Sequence, residues 1–271
     1  MIDLHCHILP GLDDGASSLD ESMEMAKAAL QDGITAVVAT PHLFRGGFST
    51  DDLGVIEGKR RELNDALARS NVAVEIKSGA EVHISHNLIS EIRAHRQSLA
   101  LNGSGYMFIE FPSGHIYSGA KNLIFDLMSE GVIPIIAHPE RNAVFACDPG
   151  LLYDLVQMGA LAQGNGGSLT GLYGREAGQA ITHFLRWNLI HFLASDAHNS
   201  TSMAPRLAEA CKSAETAVGK EGARCLVQDN PLAVLEDREI PYCPQPVDPR
   251  KAKKSLSLRI PSFLRRSPKR P

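Results

Sequence analysis

The chain is 271 residues long, 44% hydrophobic and 21% charged, with a formal net charge of −4, ordinary globular values that exclude a fibrous or wholly disordered protein. Charge is unevenly placed: residues 250–271 hold nine of the 27 basic residues and no acid, leaving 18 basic residues against 31 acids in 1–249. An acidic body argues against a broad nucleic-acid face, and five cysteines without a CxxC pair argue against a disulfide framework or a zinc ribbon.

No run approaches the ~18 apolar residues of a membrane span, and no basic stretch precedes an apolar core at the start, so a cytoplasmic protein is expected. Strand-like runs at 1–6, 34–39, 72–78, 106–111, 133–137, 161–165 and 190–194 alternate with amphipathic stretches near 19–31, 51–69, 87–95, 117–129, 150–158, 175–186 and 204–218. Ser18 and Glu21 have the spacing of a capping box for the first helix, and Gly33 stops it. Pro149 after Asp148 suits another helix start. Seven strands alternating with helices favour parallel pairing and right-handed crossovers. From Pro241 the composition turns to Pro, Lys, Arg and Ser, which predicts one domain over 1–240 and a basic, disordered tail over 241–271. Within that tail, residues 256–264 suggest a weak membrane-surface contact interrupted by Pro261.

The chemistry gathers where the strands end. His5 and His7 close the first run, His42 follows the second, and Glu81, Glu110, His138 and Asp196 lie at or just past later ones, with His198 two residues on. Asp14 sits in the turn Gly11-Leu12-Asp13-Asp14-Gly15. Six different strands contribute, and only a closed or nearly closed barrel brings so many C-terminal strand ends to one mouth. The fold expected is therefore an α/β protein, a distorted seven-stranded (β/α) barrel. His5 and His7, two apart on a strand, project to one side, and Cys6 points away into packing. Five imidazoles and four carboxylates exceed what one structural zinc needs, and could hold three divalent ions with positions open for water and substrate. Ligation without thiolate suits manganese, iron or zinc. Arg141, three residues after His138, is placed to neutralise phosphate oxygens. The remaining histidines (His83, His86, His95, His115, His183 and His191) read as surface or packing residues.

Several motifs together resemble a known family: His5-Cys6-His7, the Leu9–Gly15 turn Leu-Pro-Gly-Leu-Asp-Asp-Gly, Thr40-Pro41-His42, Ala137-His138-Pro139-Glu140-Arg141, the stretch from Gln163 to Gly171, and Ser195-Asp196-Ala197-His198-Asn199. The series is similar to the polymerase-and-histidinol-phosphatase (PHP) superfamily, and more narrowly to its bacterial manganese-dependent protein-tyrosine phosphatases of capsule and exopolysaccharide operons. The resemblance implies a PHP-type barrel and one ion on His5, His7, Glu81 and Asp196. It implies a second on Glu81, Glu110 and His138, and a third on Asp14, His42 and His198. Arg141 would clamp phosphate, and Arg206 would stand in for a second arginine that such proteins carry after the Ser-Asp-x-His-Asn segment. Leu43 departs from the pattern, since relatives often have another His there. The implied partner is a phosphorylated bacterial tyrosine kinase of polysaccharide export at the inner membrane.

The expected reaction is direct hydrolysis of phosphotyrosine on protein substrates, with Asp196 or a water protonating the leaving phenol. A cysteine-dependent route fails a simple test. The residues six positions after Cys6, Cys147, Cys211, Cys225 and Cys243 are Leu12, Tyr153, Ala217, Pro231 and Pro249, never an arginine. Two rival readings are a small-molecule phosphatase of the histidinol-phosphate type and a non-catalytic barrel that keeps its metals for stability.

Overall fold

Among the described residues every strand pairing is parallel, as alternating strands and helices require. The computed structural model describes residues 1–46 and 51–251. Its strands are β1 (Ile2–Cys6), β2 (Ala36–Ala39), β3 (His42–Leu43), β4 (Glu75–Lys77), β5 (Glu81–His83), β6 (Tyr106–Glu110), β7 (Ile133–Ala137), β8 (Leu161–Asn165) and β9 (Phe192–Ala194). The principal helices are α1 (Leu19–Gln31), α2 (Leu53–Arg69), α3 (Leu88–Leu99), α4 (Ala120–Ser129), α5 (Ala143–Cys147), α6 (Pro149–Gln157), α7 (Gly166–Leu169), α8 (Gly174–Arg186), α9 (Ala208–Val227) and α10 (Asp229–Leu235).

The expectation of seven strands in one closed barrel needs correction. The described residues form two sheets, β1-β2-β4 and β3-β5-β6-β7-β8-β9, and neither closes on itself. The second and third expected strands form β2 and β4, and each is followed by a further short strand, β3 and β5, that belongs to the other sheet. Pro41, which has no N–H to give to a ladder, separates β2 from β3, and Gly79 lies in the matching gap between β4 and β5. Register survives the break: Ala36 faces Glu75 and His42 faces Glu81, the same offset of 39 positions. The other seam, between β9 and β1, is one bridge from Cys6 to Ala197. Beside it Asp196 N–H donates to the His5 carbonyl (2.8 Å) and His7 N–H to the Ala197 carbonyl (2.9 Å).

Two layers of apolar contact follow from the strand period of two. Phe108, Ile135 and Phe192 belong to an inner cluster, while Met107, Ile109, Ile136 and Leu193 pack outward against the helices. Ala233 and Val234 of α10 join the inner cluster. Nearby, the Arg238 carbonyl accepts from the Tyr106 hydroxyl (2.7 Å) and Asp237 Oδ1 accepts from Gly105 N–H (2.7 Å), so this segment covers the ends where strands begin. The opposite ends, where strands finish, are left for chemistry.

Helix punctuation follows the sequence. Ser18 Oγ accepts from Glu21 N–H (3.2 Å), while the Glu21 carboxylate turns to Ser17 N–H (2.9 Å). Asp148 caps α6 with Pro149 at its first position. Residues 241–251, the start of the expected tail, lie on the body: Val247 N–H donates to the Trp187 carbonyl (2.8 Å) and Arg250 pairs with Asp154 (2.8 Å). The rest of that tail, 252–271, lies outside the described residues. Among the described residues no helix is long and apolar enough to cross a membrane.

Candidate metal centre

Strand ends and the turns after them deliver the functional side chains. A one-residue register shift in the β1–β2 pairing falls between Asp3 and Cys6, the kind of bulge that re-aims a side chain. His5 there packs at a tilt on the inner Phe108 (ring centroids 4.8 Å apart, planes 37° apart), and its Nε2 comes within 3.3 Å of His7 Nε2. Cys6 is fully buried, and burial pushes its thiol up, so it is inert packing. The turn after His7 folds back closely enough that a Cβ at Gly15 would stand 2.1 Å from the His7 carbonyl oxygen. Only glycine fits, and that brings Asp14 to His42 (3.5 Å) and His198 (3.4 Å). His138 and Asp196 leave their strands with φ of +29° and +52°. These left-handed conformations are costly without glycine and typical of functional turns.

All nine expected ligands meet. Glu81 is the hub: Oε2 lies 3.3 Å from His5 Nε2, 3.4 Å from His7 Nε2 and 2.9 Å from His42 Nδ1, and Oε1 accepts from His138 Nε2 at 2.8 Å. Asp196 Oδ1 stands 3.5 Å from His5 Nε2 and 3.3 Å from His7 Nε2. Glu110 Oε2 is 3.7 Å from His42 Nδ1. Donor atoms fall into four overlapping groups: His7, Asp14, His42 and His198; His5, His7 and Glu81; His5, His138 and Asp196; His42, Glu81 and Glu110. Two of the expected ion sets are recognisable in these groups. The set of Glu81, Glu110 and His138 differs, since His42 rather than His138 shares a group with Glu81 and Glu110.

These residues fit divalent cations better than they fit one another. Two ligands each about 2.1 Å from one ion stand about 3.0–3.4 Å apart, close to the spacings around His5, His7, Glu81 and Asp196 and long for good hydrogen bonds. Two imidazole nitrogens facing each other at 3.3 Å likewise need something between them. His42 Nδ1 and Glu81 Oε2 lie 2.9 Å apart, yet both are buried without a properly directed hydrogen bond. Buried polar atoms left in that state are rare unless an unseen partner is theirs.

Electrostatics preserve the ligand forms of the acids. Burial favours protonated Glu81 and Asp196, but His5 and its neighbours outweigh it and hold both carboxyls well below the usual range. On His7 burial opposes the proton, while Asp13, Asp196 and Glu81 together raise it well above the ordinary imidazole value. His138 behaves similarly: burial lowers it, but Glu81 prevails and lifts it to about 9.

Arg141 reaches the same place. Its Nη1 donates to Asp196 Oδ2 (2.6 Å), which also accepts from Asn165 Nδ2 (2.6 Å). A cavity of about 400 Å³ opens here, walled by Asp14, His42, Glu110, His138, Arg141, Asp196 and His198, together with Arg45, Asn199 and Met203. Arg206 is not brought in. It lines a larger neighbouring cavity of about 730 Å³ with Asp32, Thr170, Leu172 and Glu209, and only Met203 borders both.

Sequence reasoning missed the supporting residues. Arg45, three past His42, pairs with His42 and lies 3.9 Å from Glu110. Asp13 accepts from His7 Nδ1 (2.8 Å) and His42 N–H (3.0 Å). Gln163 meets His5 Nδ1 (3.0 Å), and His83 meets Glu110 (3.0 Å). The usable signal was alternation: Gln163 and Asn165 on β8 point the same way, towards a site already inferred.

Comparison with known proteins agrees with this geometry. The family model for capsular polysaccharide synthesis proteins, CpsB/CapC, matches residues 1–236. Tyrosine-protein phosphatase YwqE of Bacillus subtilis (strain 168) is 39% identical over 251 residues, 93% of this chain and 98% of its own length. A putative tyrosine-protein phosphatase, CapC of Staphylococcus aureus, is 36% identical across 74% of this chain and 78% of its own. Crystal structures of YwqE from B. subtilis and CpsB from Streptococcus pneumoniae, described as unique metal-dependent tyrosine phosphatases, include a chain that superposes with a TM-score of 0.85 at 39% identity. The match covers 91% of this chain and 99% of that one. The chain therefore belongs to the CpsB/CapC family of capsular polysaccharide synthesis.

Proposed function

We propose that the chain is a metal-dependent protein-tyrosine phosphatase of capsular or exopolysaccharide synthesis. The observation that carries this reading is the meeting of all nine ligand-type side chains in overlapping groups, beside an open cavity that six of them line with Arg141. His5, His7, Glu81 and Asp196 would hold one ion, Glu81 and Glu110 with His138 or His42 a second, and Asp14, His42 and His198 a third, with manganese the expected metal. Bound there, divalent cations supply a nucleophilic water at neutral pH and charge to offset the phosphoryl group.

The chain's own residues set the rest. Asp196 Oδ2 anchors Arg141 while Oδ1 turns to the histidines, so one carboxylate fixes both the guanidinium and the ligand cluster. Arg141 offers its remaining N–H groups to phosphate oxygens. Asp196, held as a carboxylate by its histidines, acts as ligand and anchor rather than as proton donor. A phenol with a pKa of ~10 needs less help to leave than an alkyl alcohol does. All five cysteines are free of this site's chemistry: Cys6 is packed, and the others line no part of the cavity.

The substrate is the phosphorylated tyrosine of a polysaccharide-export kinase at the inner face of the membrane. The basic segment 250–271 attracts an anionic surface, at roughly 1 kcal/mol per apposed charge, and its deletion should weaken co-sedimentation with acidic vesicles at low salt. The small-molecule reading is not favoured, because relatives matched over 98% and 100% of their own length carry tyrosine-phosphatase names. The deciding assay is turnover of a phosphotyrosine peptide beside histidinol phosphate, before and after chelation, with manganese, iron or zinc restored singly. Peptide turnover lost on chelation and recovered with manganese is expected; chelator-insensitive turnover, or a preference for histidinol phosphate, overturns the reading.

A further inference from the structure

Arg141 has a second contact besides Asp196. Its Cζ lies 4.2 Å from the centroid of the Tyr173 ring, so the guanidinium is caught between an aromatic face and a carboxylate. A guanidinium is weakly hydrated and stacks readily on such a face. Tyr173 precedes α8, and its ring and Leu172 together fill the space a side chain at Gly167 would need: a Cβ there would stand 2.9 Å from the ring Cε2 and 2.9 Å from Leu172 Cδ2. The hydroxyl of Tyr173 is buried and has no hydrogen-bond partner among the described residues. Burial, together with the Asp196 charge, raises this phenol, which keeps the ring neutral. The ring face, rather than the hydroxyl, is what the site uses.

We propose that Tyr173 is a positioning residue for phosphate binding, its ring serving as the platform that holds the Arg141 guanidinium at the cavity wall, with Gly167 as the notch that admits the ring. This rests on the reading of Arg141 as the phosphate-binding group. Without the platform, Arg141 loses one of two restraints and must be ordered anew each time an anion arrives, which costs affinity. Neither Tyr173 nor Gly167 lines the Arg141 cavity, so the defect acts through Arg141.

The test is competitive inhibition by inorganic phosphate, with KM and kcat for p-nitrophenyl phosphate, in the full-length metal-loaded protein. Tyr173→Phe keeps the platform and should stay within about twofold, whereas Tyr173→Leu should weaken phosphate inhibition by about tenfold, the loss of one moderate contact. Gly167→Ala leaves Tyr173 in place but displaces its ring, and should act in the same direction if Tyr173→Leu folds poorly. In an Arg141→Ala background Tyr173→Leu should add less than about twofold, because the two act as one unit. If Arg141→Ala weakens phosphate inhibition but neither Tyr173→Leu nor Gly167→Ala does, the platform is disproved while the clamp stands. The platform also falls if Tyr173→Phe is as impaired as Tyr173→Leu, since the hydroxyl would then be the working part. If Arg141→Ala itself leaves phosphate inhibition unchanged, clamp and platform fall together.

Discussion

Asp3 fastens Ser195 across 192 residues of chain. Its Oδ1 accepts from the Ser195 N–H at 2.9 Å, and its Oδ2 accepts from the Ser195 hydroxyl. Asp3 is fully buried, and burial pushes its carboxyl up to about 6 in spite of those bonds. This link fixes where β9 ends and hence where Asp196 turns out of the strand. Asp3→Ala takes this acceptor from the buried N–H groups of Ser195 and His5, while the Ser195 hydroxyl keeps the His5 carbonyl at 3.4 Å, a loss on the order of 3 kcal/mol. Urea unfolding of the metal-free protein should register that drop, and metal affinity should fall with it; an unchanged midpoint would show that the link is unimportant.

Asp13 orients two ligands from behind, through His7 Nδ1 and the His42 N–H. Such outer partners are typically worth about 10–100-fold in metal affinity or activity. Asp13→Ala should weaken metal retention in dialysis by that much while circular dichroism stays native. Wild-type retention would contradict the placement.

Glu81 has no substitute, because four histidines converge on its two oxygens. Glu81→Gln keeps the shape and removes the charge that holds imidazoles and cations together. Elemental analysis should show at least two ions lost per chain, and activity should fall beyond the roughly 100-fold expected for an outer residue. A fully metallated, active Glu81→Gln protein would be incompatible with the shared-ligand arrangement.

His191 yields a pH prediction away from the metals. It is buried between β8 and β9, its Nδ1 accepts from the Ala162 N–H (3.1 Å), and burial depresses it from 6.5 to about 4. Between those values the unfolded chain binds a proton that the folded chain refuses. Stability is therefore complete above pH 6.5 and declines as pH falls towards 4, by up to about 3 kcal/mol. Asn at 191 retains an acceptor but does not titrate. The stability difference between His191→Asn and wild type should then shift with pH in this window and be flat above it, measured by chemical denaturation at equal metal loading.

What the sequence revealed was chemistry at strand ends; what it concealed was how the strands connect. His5, His7, His138 and Asp196 were legible because a polar residue ending an apolar run has few structural excuses. Strand pairing depends on two gaps that match in register, one holding Pro41 and the other Gly79, a relation between residues far apart that periodicity within one run does not contain. Arg206 was misplaced for a related reason: distance along the chain from Asp196 says nothing about the side of the loop on which an arginine emerges. Asp13 and Gln163 escaped notice because turn and strand residues of those types have ordinary local uses. Only the converging histidines reveal their second task.

The shared offset between β2–β4 and β3–β5 carries an evolutionary corollary. Helix α2 and its flanking connections can lengthen or shorten among homologues with little penalty, since they lie between the paired segments. The short stretches 40–41 and 78–80 have no such latitude. One amino acid gained or lost in either would slide His42 past Glu81 by a full step, so indels should be absent there even where the surrounding sequence has drifted.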